Sequence, residues 1–157
     1  MYDTKSDPNE FVGETREEGY RRADLVADYA RTAPVVAEAF TNPPGYNSIP
    51  ANVAMLKSGG KGFVVDRNGN PIDNRTATVE QFMETDTVFA GTPDEVYNQI
   101  KDFNDRVGGF GHLLFFGQGG HLSHEDTMEN IRLFGAEVMP RLAKLNPLPG
   151  QKATAAD

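Results

Sequence analysis

The chain reads as an α/β domain with parallel strands, and three observations predict this. In the second half, short apolar runs alternate with amphipathic helical segments: 88–90, then 92–107, then 110–116, then 123–142. The segment 92–107 is bracketed by a capping threonine and the pair Gly108-Gly109, so it stands as a helix of defined ends. The run "FGHLLFF" is apolar almost throughout, the texture of a strand with both faces covered. Strand, helix, strand, helix in that order implies parallel neighbours joined by right-handed crossovers.

With 157 residues the chain is expected to form a single domain, 1–157, with a real core. Its 16 glycines and 10 prolines predict much loop, and the ends 1–10 and 146–157 read as disordered. A formal net charge of −8 argues against nucleic acid, which needs clustered Lys and Arg to neutralise phosphates, and against an anionic membrane surface. There is no cysteine, hence no disulfide framework and no thiolate metal site, as befits a reducing compartment. No apolar run approaches the ~18 residues of a membrane span. These features predict a soluble, cytoplasmic protein.

Taken in order, the elements have local justifications. A helix starts near Thr15, with Tyr20, Ala23, Leu25, Val26, Tyr29 and Ala30 mostly on one face. Glu17 and Glu18 precede Arg21 and Arg22 at the i,i+4 spacing of an exposed face, and Pro34 ends or kinks the helix before a short piece to Phe40. Residues 41–78 hold four turn-forming clusters and one short strand-and-turn, "GFVVD" with "RNGNP"; they read equally as a functional lid or as an insertion. Thr78 and Gln81 predict a capping box at the start of a short helix. Thr92 is the natural N-cap of the next, with Pro93 at its first position, Glu95 closing a second box, and Val96, Ile100, Phe103 and Val107 as its buried stripe. Ser123, with Asp126 three residues on, caps the last helix. Its expected stripe is Met128, Ile131, Phe134, Val138 and Leu142, flanked by Leu133, with a kink at Pro140.

Parallel α/β folds gather ligands beyond the carboxyl ends of their strands, which singles out Ala90-Gly91-Thr92 and the turn 117–121. Gly91 and Thr92 open a helix whose free amides suit an anion. Capping alone also accounts for them, since no second glycine or lysine follows to make a phosphate loop. His121 follows a flexible glycine turn, so it reads either as a proton donor to a ligand or as a solvated loop side chain. Gln118 reads either as a reader of amide-like edges or as a plain surface amide. His121 and His124 lack an obvious third ligand, so no metal is expected. His112 is placed at the watery end of its strand. Hydrolase and NTPase motifs are absent.

The stretch from about Thr85 to Leu142, with "GTPDEV", "GGFGHLL" and "LFGAEVMPRL", resembles the C-terminal end of the bacterial luciferase-like flavin-dependent monooxygenases, closest to the limonene and alkane monooxygenase branch. A fainter likeness covers "FVGETREEGYRRADLVADYAR". The resemblance implies a (β/α)8 barrel that uses reduced FMN, supplied by a separate flavin reductase, and O2 to oxidise a small organic substrate. It implies that Val88–Ala90 is strand seven, Leu113–Phe116 strand eight and Ser123–Leu142 the closing helix. Such a barrel takes ~250 residues. The chain is therefore expected to be the C-terminal portion of the barrel: a segment of a longer enzyme, or a short product that associates with another chain. On this template Gly91, Thr92, Gln118 and Gly119 are the candidate cofactor-binding residues and His121 the candidate catalytic one. Two alternatives stand beside it: a non-catalytic half-barrel that forms a homo-oligomer and binds no flavin, and a small α/β binding module.

Overall fold

The computed structural model describes residues 9–32, 49–50, 53, 63–110 and 112–145. Strand β1 (Asn9–Val12) pairs in parallel with β4 (Val88–Gly91), Phe11 facing Ala90 and Asn9 facing Val88. Between them run helix α1 (Arg16–Thr32), an antiparallel hairpin of β2 (Phe63–Val65) and β3 (Pro71–Asp73), and the short helix α2 (Val79–Glu84). After β4 come α3 (Pro93–Val107), α4 (His124–Leu133), a π-helical turn (Phe134–Val138) and α5 (Met139–Leu145). The architecture is mixed α/β with a small parallel sheet. None of the described helices is long and apolar enough to cross a membrane.

The parallel partner of β4 is not the one expected. Sequence reading pairs it with 110–116, yet its neighbour is β1, which begins inside a stretch expected to be disordered. Side chains alternate across a strand. Phe11, Val88 and Ala90 pack on one face against Ala23 and Ala27 of α1 and Val79 and Phe82 of α2. Val12 and Phe89 pack on the other against Val96 and Ile100 of α3, Leu133 and Val138. Helices thus cover both faces of the two strands. In a barrel segment the helices would share the outer face and leave the inner one to the lumen.

Residues 112–117 carry no regular secondary structure and pair with no strand among the described residues. They lie over the second face: Leu113 and Phe115 join its core, and the Phe115 ring meets Phe89 edge-on at 6.1 Å and Phe134 at 5.4 Å. Leu114 and Phe116 point outward, 68% and 56% exposed. The apolar run is therefore covered on one side only, which corrects the expectation of a doubly buried strand.

Both outer edges of the sheet are already occupied by side-chain amides. The Ala90 N–H donates to Gln99 Oε1 at 3.1 Å, and Gln99 Nε2 donates back to the Ala90 carbonyl at 2.9 Å. On the opposite edge the Val12 N–H donates to Asn130 Oδ1 at 2.6 Å, while Asn130 Nδ2 donates to the Glu10 carbonyl at 3.1 Å. A carboxamide offers the same donor and acceptor as a peptide, so each stands in for a neighbouring strand. Segment 112–117 finds neither edge free at these residues.

Local signals are realised as expected. Thr78 with Gln81 and Thr92 with Glu95 form reciprocal capping boxes, Pro93 sits at the start of α3, and Ser123 caps α4. Gly108 ends α3 in the left-handed conformation (φ +78°), its N–H donating to the Asn104 carbonyl. Within α3, Val96 and Ile100 are fully buried, but the stripe stops short of Val107, which is exposed. The last helix departs further. Met128 and Ile131 are 54% and 52% exposed, and Thr127, Asn130, Leu133 and Val138 are the buried set. The hydrogen bonds of Asn130 to β1 set the rotation of α4. The π-turn before Pro140, with the Met139 N–H donating to the Phe134 carbonyl, shifts the register afterwards. Within 41–78 the strand β2 and its turn are as predicted and β3, which completes a hairpin, is additional; the turn is closed by the Asp66 carboxylate, which accepts from the backbone of Asn68 and Asn70. Arg67 ties this turn to buried Asp86, which Arg106 of α3 also grips at 2.7 and 2.8 Å. The expected helical piece to Phe40, most of the lid reading, and the tails 1–8 and 146–157 lie outside the described residues.

Candidate functional site

The carboxyl ends of β1 and β4 meet at two glycines, the Gly13 N–H donating to the Gly91 carbonyl at 3.0 Å. Gly91 is at φ +135°, and α1 approaches it so closely that a Cβ on Gly19 would lie 2.6 Å from Gly91 backbone atoms. This is where an anion is expected. The two helix N-termini here already hold carboxylates. Glu18 accepts from the N–H groups of Glu14 and Thr15 at the start of α1. Glu95 accepts from the Thr92 N–H at 2.9 Å at the start of α3 and pairs with Arg16. The hydrogen bond from Arg16 holds the Glu95 carboxyl below the ordinary carboxylate range. Gly91 makes the turn and Thr92 the cap, and an incoming phosphate would have to displace Glu95.

The second predicted place, the turn after residue 116, docks elsewhere on α1. Gly120 packs against the backbone of Val26, and the Leu122 N–H donates to the Gly119 carbonyl. Gln118 is exposed. His121 is about half exposed, edge-on to Tyr29 at 5.9 Å, with Nε2 3.9 Å from Asp28 Oδ2. Gly19 and Asp28 are separated along α1 by about 14 Å of helix rise. Gly91 and Thr92 on one side and Gln118, Gly119 and His121 on the other are therefore not brought together. His124 and His112 are both exposed, the latter on the outward face of its segment.

Glu10 was missed by sequence reading. Only 5% exposed, it sits on the second face of the sheet with one carboxyl oxygen against the α-carbon of Gly117 and the other, Oε2, without a partner among the described residues. A side chain at position 117 would strike that carboxyl and the Asn130 amide together. Asn130 links the same elements by also donating to the Gly117 carbonyl at 3.0 Å. Burial pushes the Glu10 carboxyl up to about 7, poising it to hold or release a proton near neutrality. The only sequence signals were an acid among apolar residues in "NEFV" and two carboxamides, Gln99 and Asn130, on otherwise apolar helix faces.

Beyond the sheet, α3, Phe110, residues 113–115, the π-turn and α5 line a half-open apolar pocket of about 300 Å³, with Ile100, Phe110, Leu113, Phe115, Phe134 and Leu142 in its wall. That volume is at the lower end of those that hold small organic molecules. Among the described residues no group of three or more His, Asp or Glu side chains converges as a metal site. No protein-family model, curated protein or solved structure matches the chain.

Proposed function

We propose that the chain is built from the C-terminal strand–helix units of a luciferase-like flavin-dependent monooxygenase, working with reduced FMN from a separate reductase, O2 and a small organic substrate. The run of motifs over 85–142 supports the reading, because "AGTPDEV" falls at the carboxyl end of a parallel strand and opens a capped helix. The described residues do not fit FMN by themselves. Glu95 occupies the α3 N-terminus where a phosphate would sit, and Gln118 and His121 lie along α1 away from it. The flavin phosphate is therefore held by groups other than Gly91 and Thr92, and this chain contributes frame and wall.

Two measurements separate the parts of this reading. Titration of the isolated chain with FMN is expected to show no saturable change in flavin fluorescence; micromolar binding would overturn the account of the two helix N-termini. Grafting residues 85–142 in place of the corresponding segment of a luciferase-like monooxygenase is expected to preserve its flavin binding. A folded chimera that has lost the cofactor would sink the kinship. The reading as a non-catalytic, oligomerising partner draws on a different observation, the unpaired segment 112–116.

A further inference from the structure

We propose that residues 112–116 form the interface of a two-fold homodimer, pairing antiparallel with the same segment of a second copy about an axis at Leu114. Among the described residues, none of the backbone N–H or C=O groups of 112–116 has a hydrogen-bond partner; the first to find one is the carbonyl of Gly117, taken by Asn130. The segment's side chains nonetheless alternate in and out with the period of a strand, and Leu113 and Phe115 anchor it on the core. A row of unpaired peptide groups beside outward apolar side chains is a template for strand addition.

A second copy is the occupant the chemistry favours. The chain carries a net charge of −8, but residues 110–122 contain no Asp, Glu, Lys or Arg, so two copies meet here without the repulsion they would feel elsewhere. The outward set His112, Leu114 and Phe116 is self-complementary under a dyad at its centre. Leu114 faces its own symmetry mate, and Phe116 faces the imidazole of His112, the kind of cross-strand pair that stabilises antiparallel sheets. The parallel sheet is a poorer docking place, since Gln99 and Asn130 fill its edges at Ala90 and at Glu10 and Val12. This inference does not depend on the flavin reading.

The absence of cysteine makes the test direct. In Leu114→Cys the two thiols sit opposite each other at the axis, and mild oxidation is expected to convert the chain to a disulfide dimer. In Phe116→Cys the equivalent thiols are about 13 Å apart along the ladder, beyond the reach of a disulfide, so that variant is expected to stay uncrosslinked. Wild type is expected to sediment as a dimer at tens of micromolar, and Phe116→Lys as a monomer with an unchanged far-ultraviolet spectrum. A monomeric wild type at those concentrations, or crosslinking at 116 as efficient as at 114, overturns the proposal.

Discussion

Replacing Glu10 with glutamine is expected to stabilise the protein strongly at pH 8 and by less than about 1 kcal/mol at pH 5. The buried carboxyl is raised from 4.5 to about 7, so the folded chain keeps a proton that the unfolded chain has released. Its contribution is fully present below the unfolded value and is lost as pH rises from there through the folded one. The span corresponds to about 3 kcal/mol, at ~1.4 kcal/mol for each unit. Glutamine carries no charge to desolvate, so the variant should escape this loss and be more stable by about 2–3 kcal/mol at pH 8. Asp126, held down to about 2 mainly by its hydrogen bond from Arg21, titrates below the window and does not mask the effect. Chemical denaturation of both proteins from pH 5 to 8 measures it. Parallel stability profiles would show that Glu10 is either solvated or paired.

The second large effect is expected at Asn130. The residue is fully buried and makes three hydrogen bonds: from the Val12 N–H, to the Glu10 carbonyl and to the Gly117 carbonyl. Asn130→Ala removes all three and strands two polar groups on the β1 edge. An orphaned buried group costs about 1–3 kcal/mol, and truncation leaves a void beside Val12, so the total loss is on the order of 3–5 kcal/mol. Asn130→Asp serves as the isosteric control. It keeps the acceptor for Val12 but loses both donors, and it sets a second carboxyl beside Glu10. It is expected to recover part of the stability at low pH and to push the Glu10 titration further upward. A change of less than about half a kcal/mol in Asn130→Ala would mean that the edge is closed by something other than this amide.

Much of the local structure was legible because its physics is local. The boxes of Thr78 with Gln81 and Thr92 with Glu95, and the cap of Ser123, are satisfied within three residues, so reading the spacing is enough. The hairpin turn around Asp66 is equally self-contained. The rotation of α4 was not legible. Met128 and Ile131 are the more hydrophobic choice for burial, yet Asn130 faces the core because β1 presents an N–H and a C=O there. Patterning treats a carboxamide on an apolar face as an error, whereas in this fold Gln99 and Asn130 are the edges of the sheet. The candidate turns at Gly91-Thr92 and 117–121 were found as turns, but their separation along α1 depends on how that helix packs.

The sequence by itself determined where the capped helices begin, that α3 stops at Gly108, which turns are sharp, and that the domain mixes strands with helices, because each of these is decided by neighbours three or four residues away. Only the tertiary structure decided that β1 pairs with β4, that 112–116 lies across the sheet instead of joining it, and that Glu10 is buried. Those outcomes turn on groups delivered from far along the chain, such as the Asn130 amide reaching the Glu10 carbonyl across 120 residues. The cost of an unpaired buried peptide, and not hydrophobic pattern, selects among them.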